Sequence, residues 1–122
     1  MTDPAPPALR QFKEELERRM LVSVWYTDSK TLEIVDADEN AISLLGYSRD
    51  ELIGISARKI VAPESQRDID TIRARDRWGD GGTHTFIRRD GSRFTAKVRW
   101  HQSEHLGRIC DFTMVSQVRE LE

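Results

Sequence analysis

Hydrophobic and polar positions recur with two different periods along this chain, and the period changes mark its elements. From Ala8 to Leu21, Leu9, Phe12, Leu16 and Met20 fall at three- and four-residue steps, the spacing of one helical face. Arg10 with Glu14, Lys13 with Glu17, Glu14 with Arg18 and Glu15 with Arg19 are opposite charges four apart, which support the exposed faces. The apolar stripe needs a covering surface, either the sheet of its own domain or the same helix of a second copy. Residues 1–7, with Pro4, Pro6 and Pro7, are expected to form a disordered arm before it.

Val22–Thr27 and Thr31–Val35 are rich in β-branched and aromatic residues, and Asp28-Ser29-Lys30 between them predicts a tight turn and a first hairpin. Asp38 is placed to cap a helix over 39–45, stopped by Gly46. Ser48 and Glu51 have the spacing of a capping box for a short helix ending at Gly54. Residues 55–62 predict at most one helical turn. Pro63 or Ser65 opens a longer helix, expected to run to about Trp78 with Ile69 and Ile72 facing inward, followed by a flexible break at Asp80-Gly81-Gly82.

The rest predicts strands: Thr83–Arg89, an Asp90-Gly91 turn, and Arg93–His101, where Phe94, Ala96, Val98 and Trp100 alternate with polar residues. A third strand follows Gly107 to about Thr113, and Met114–Glu122 reads as a helical tail. Hairpins at both ends and helices between them predict an α+β fold, a five-stranded antiparallel sheet with short helices on one face.

Composition narrows the class. The chain has 122 residues, 38% hydrophobic and 33% charged, with a formal net charge of −2. This is enough apolar material for one core, and the near-neutral balance argues against a generic polyanion binder. The single cysteine excludes an internal disulfide. Met20–Tyr26, the longest apolar stretch, is too short to span a bilayer, and the proline-rich N-terminus is not a secretory leader. The expectation is a cytoplasmic domain without nucleic-acid or membrane partners. The terminal Leu121-Glu122 fits a cloning remnant on a fragment of a longer protein.

Three motifs then bring a family into view. Asp38-Glu39-Asn40-Ala41-Ile42-Ser43-Leu44-Leu45-Gly46-Tyr47-Ser48-Arg49-Asp50-Glu51-Leu52-Ile53-Gly54 resembles the PAS domain's run of Asn, small residues, Leu-Gly-Tyr-Ser, Glu-Leu and Gly. Arg88-Arg89-Asp90-Gly91-Ser92-Arg93-Phe94 is similar to that family's basic-Asp-Gly hairpin, and Asp111-Phe112-Thr113 resembles the Asp-Ile-Thr that ends its last strand. The resemblance spans about residues 22–116, after a flanking helix at 8–21, with 117–122 as the start of an output helix or tail. One position departs: Asp38 stands where the family usually has Asn. The resemblance implies a non-enzymatic sensor or dimerisation module that regulates an effector, in cis or in trans, such as a histidine kinase, a cyclic-dinucleotide enzyme or a transcription regulator. It also implies signal coupling at Asp111 and Thr113, whose plainer role is capping the tail.

The residues disfavour the known chromophores. A covalent flavin sensor of this family needs a cysteine after the second short helix, and Gly54–Val61 holds none; Cys110 reads as a small buried apolar residue. A haem sensor carries its iron-binding His on the long helix, and 63–78 holds none. His101 and His105 flank a turn without the carboxylate or Cys cluster that would complete a metal site. Arg73, Arg75 and Arg77, interrupted by Asp76, read as a solvated helix face. No nucleophile–base set can be assembled.

A small unidentified ligand is left as the expected cargo. Ile34, Ile42, Leu45, Leu52, Ile60, Ile69, Ile72, Phe86, Val98 and Trp100 are the inward positions, and they describe a filled core equally well. Arg88 and His84 share a strand face with Phe86, and an inward Arg88 would require an anion such as a carboxylate.

Overall fold

Asp28 closes the first hairpin: its Oδ1 accepts from the Lys30 and Thr31 amides at 2.8 and 2.9 Å, turning the chain between β1 (Ser23–Asp28) and β2 (Ile34–Ala37). The computed structural model describes residues 8–13, 21–75 and 78–121. Residues 8–13 form a short helix, α1, with Leu9 and Phe12 exposed. Leu16 and Met20, the other half of the predicted stripe, lie outside the described residues, as does the predicted arm.

The capping signals act as read. Asp38 Oδ1 accepts from the Ala41 amide at 2.8 Å and starts α2 (Glu39–Leu45). Gly46, at φ 79°, ends it in the left-handed region. Ser48 and Glu51 complete the capping box of α3 (Arg49–Leu52). A single 3-10 turn, Ala57–Ile60, leads to α4 (Pro63–Arg75).

Strands β3 (Trp78–Ile87), β4 (Arg93–His105) and β5 (Arg108–Leu121) complete an antiparallel sheet of order β2-β1-β5-β4-β3. Helices and sheet enclose a core of Trp25, Ile34, Leu45, Leu52, Ile60, Phe86, Phe94 and Val115. Phe86 sits between Trp25 (ring centroids 5.7 Å, edge-on) and Phe94 (5.4 Å, stacked). On the opposite sheet face Tyr26 stacks on His105 at 3.8 Å and meets Phe112 edge-on at 5.0 Å. No helix among the described residues is long and apolar enough to cross a membrane.

Three expectations are corrected. β2 begins at Ile34, not Thr31, because residues 29–31 are spent on the turn and Leu32 turns through φ 65°. The long helix is followed by strand from Trp78, and Asp80-Gly81-Gly82 is part of β3. Asp80 pairs with Arg99 and Gly82 with Val98, so Gly81 is the extra residue of a β-bulge. Residues 114–121 are strand, not helix. Lys97 pairs with Ser116 but Thr95 with Arg119, so β5 carries one extra residue, beside Gln117 at φ 54°. The bulge leaves Val115 buried and Val118 packed against the core at a three-residue interval, which imitates helical spacing.

Candidate functional site

Between α4 and the sheet lies a cavity of about 90 Å³. Each wall comes from an element already described. α4 contributes Ile69, Ile72 and Arg73; β3 contributes Gly81, His84 and Phe86; β4 contributes Val98 and Trp100. β1 adds Trp25 and Thr27, and β5 adds Asp111 and Thr113. Leu32, held in its left-handed conformation, closes one side, and Arg58 and Gln66 lie at the rim, bonded to each other at 3.0 Å. Most of this surface is apolar.

Of the inward positions read from the sequence, the cavity gathers Ile69, Ile72, Phe86, Val98 and Trp100. Ile34, Leu45, Leu52 and Ile60 are fully buried in the packed core instead, with Ile42 against its edge. Arg88 is elsewhere. β3 has ended at Ile87, so strand alternation no longer governs it. Its Nη1 lies 2.6 Å from Glu120, its Nε donates to the Leu44 carbonyl at 2.7 Å, and its guanidinium covers Phe94 at 4.7 Å. The carboxylate that an inward arginine would require is thus the chain's own.

Three polar features face the cavity. The first is Trp100, only 8% exposed, whose Nε1 is a buried donor with no partner among the described residues. A buried unmatched N–H costs about 1–3 kcal/mol, so its presence here calls for a reason. The second is His84, buried on the strand face that it shares with Phe86; its Nε2–H donates to the Gly81 carbonyl.

The third is an ion pair that the sequence did not reveal. Arg73 Nη2 lies 2.6 Å from Asp111 Oδ2, and Asp111 is 5% exposed. Ser29 donates to the other carboxylate oxygen at 3.1 Å. Alternating charges along α4 resemble a wet face, and only the sheet's position shows that Arg73 points inward.

The remaining titratable candidates lie off the cavity. Cys110 is a free buried thiol, and burial pushes its pKa up. His105 donates from Nε2 to Asp36 at 2.9 Å, and His101 tilts against Phe112. The hydrogen bond from His105 is the main cause that holds the Asp36 carboxyl below its usual range. Among the described residues no three His, Cys, Asp or Glu side chains group as a metal ion would need.

A family model for the PAS domain matches residues 21–110. Among solved structures the chain is similar to a PAS domain from a two-component sensor histidine kinase, at 17% identity over 93% of this chain and 97% of that one, TM-score 0.63. It is similar to the PAS domain of an HTR-like protein from Haloarcula marismortui, at 18% identity over 95% and 100%, TM-score 0.65. It also resembles part of a blue-light activated histidine kinase from Erythrobacter litoralis, at 17% identity over 90% of this chain and 36% of that one, TM-score 0.66. At such identities the likeness is one of fold. No curated protein matches the chain.

Proposed function

Because the chain belongs to the PAS domain family, we propose that it is a signal-sensing module that takes a small ligand between α4 and the sheet and reports its occupancy to an effector. The observation that carries this reading is Trp100: it lines a cavity of about 90 Å³ and carries a buried indole N–H that has no partner among the described residues. A ligand acceptor meeting that N–H would remove the penalty it bears when empty.

In this reading Asp111 and Thr113 are the signal-coupling residues. Both line the cavity and both lie on β5, the strand between β1 and β4. Occupancy that favours one arrangement of β5 over another shifts a two-state equilibrium by its differential affinity. The effector, fused or bound in trans, reads that shift.

The ligand is smaller than the family's large chromophores. Sites for drug-sized ligands run to about 300–1,000 Å³, and the cavity is about 90 Å³. The segment Gly54–Val61 offers no cysteine for a covalent flavin. The reading is of reception without catalysis: Asp111 is committed to Arg73, and His84 holds the Gly81 carbonyl through Nε2–H.

Exposure of Leu9 (55%) and Phe12 (58%) on α1 supports a second role, homodimerisation through the N-terminal helix. Native mass spectrometry and an absorption spectrum of freshly purified protein test both. A dimer with a colourless small adduct is the expected result. A ligand-free dimer identifies a pure association scaffold, and a ligand-free monomer removes both roles.

A further inference from the structure

The cavity's chemistry narrows what it can hold, an inference that rests on the sensing reading above. We infer that the ligand is a small uncharged molecule with an apolar body and one hydrogen-bond acceptor, a carbonyl or ether oxygen, seated on Trp100 Nε1. Indole offers a donor and no acceptor, so its partner must accept. Trp100 is 8% exposed, and no polar group among the described residues meets its N–H.

The position of the indole is set by a bulge. A Cβ on Gly81 would lie 3.5 Å from Trp100 Cδ1 and 3.3 Å from Val98 Cγ1. The pyrrole edge, which carries Nε1, therefore borders the place where β3 omits a side chain. Gly81 itself lines the cavity.

Charge excludes ions. Among the described residues that line the cavity, the charged ones are Arg73 and Asp111, which neutralise each other at 2.6 Å, and Arg58 at the rim, which pairs with Asp70 at 3.2 Å. An anion would face the Asp111 carboxylate; a cation would face the Arg73 guanidinium. Neither pair member is available without stranding the other, and an unpaired buried charge is costly. An uncharged acceptor meets no such opposition. Size agrees: about 90 Å³ is below the roughly 150 Å³ of an engineered apolar cavity that takes benzene.

The test is an NMR titration of the 15N-labelled chain with acetone, isobutane, acetate and isopropylamine, each of four heavy atoms. The chain has three tryptophans, and the Trp100→Phe variant identifies the Trp100 indole signal by its loss. Acetone is expected to move that signal downfield saturably, to bind more tightly than the other three probes, and to bind Trp100→Phe roughly three- to tenfold more weakly. Tighter binding of the carboxylate or the amine, or equal ketone affinity in Trp100→Phe, overturns the ligand class while leaving the cavity as a sensing site. If no probe moves the signals of Trp100, Ile69 or Val98, the cavity is a packing gap and the sensing reading falls with this one.

Discussion

Arg73 and Asp111 join the helical layer to the sheet: Arg73 donates from Nε to Asp111 Oδ2 at 2.7 Å, and Nη2 approaches the same oxygen at 2.6 Å. Arg73 Nη2 also reaches the Ser29 carbonyl at 3.3 Å, and Ser29 Oγ donates to Asp111 Oδ1 at 3.1 Å. One buried carboxylate thus fastens α4, the β1–β2 turn and β5 beside the cavity.

Arg73→Ala leaves Asp111 charged and buried without its cation. Breaking one side of a buried pair costs about 3–5 kcal/mol, and because Arg73 is a quarter exposed the lower end is expected. Urea unfolding measures it. The double variant Arg73→Met, Asp111→Leu should recover most of the loss, since it strands no charge. An Arg73→Ala protein as stable as wild type would show the pair to be incidental.

Asp38 stands where the family resemblance expects Asn, and its geometry explains why the exchange is tolerated. Its Oδ1 accepts from Ala41 at 2.8 Å and from Val24 at 3.2 Å, both roles open to an amide oxygen. Asp38→Ala should cost about 1–2 kcal/mol and Asp38→Asn far less. Equal losses in denaturant midpoint would mean that charge, not acceptance, matters there.

These two cases show which parts of the molecule sequence can reveal. Asp38, Gly46 and the Ser48–Glu51 box act within a few residues, so their spacing carries the whole instruction. The alternation Phe94, Ala96, Val98, Trp100 is equally local, and all four are buried. What failed was each place where a bulge breaks the period. The extra residue beside Gln117 brought Val115 and Val118 to one side at helical spacing, and Gly81 made a strand look like a flexible break. Arg73 was hidden for another reason. Its partner lies 38 residues away, and nothing local tells a clamped arginine from a solvated one. The cavity shares that difficulty: Ile34 and Ile69 have the same pattern, yet one fills the core and the other borders empty space.

Asp36 predicts a pH dependence. The His105 hydrogen bond is the largest cause holding its carboxyl below the ordinary 3.8, ahead of the Ala37 amide and the charges of His105 and Arg49. A folded pKa depressed below the unfolded one contributes stability above pH 3.8, which is lost as pH falls through the folded value. In His105→Ala, which has no side-chain donor, that hydrogen bond is gone, and the Asp36 titration should move up toward its ordinary midpoint. A carboxyl 13C NMR titration follows it; an unmoved midpoint would assign the depression to the backbone instead.

Cys110 is fully buried on β5, and desolvation raises its thiol pKa above the ordinary value. The thiolate is the reactive form, so iodoacetamide at neutral pH should leave the folded chain unmodified and label it fully in denaturing urea. Rapid labelling of the native protein would show that β5 opens far more often than a central strand should.

Gly81→Ala separates the cavity's role in binding from its role in packing. Gly81 does not have the positive φ of its neighbour Gly82, so alanine fits its backbone. The new Cβ would stand 3.3 Å from Val98 Cγ1 and 3.5 Å from Trp100 Cδ1, taking up space beside the indole N–H. A methyl at that point crowds whatever seats on Trp100, and Val98 has only to give by a few tenths of an ångström. Alanine also restricts the unfolded chain, worth about 0.4–1 kcal/mol in favour of folding, which offsets the tight approach to Val98. Stability should therefore change by less than about 1 kcal/mol, while acetone affinity falls and any co-purified adduct disappears from the native mass spectrum. A variant that keeps its ligand at full occupancy would move the binding site away from the bulge, and with it the role assigned to Trp100.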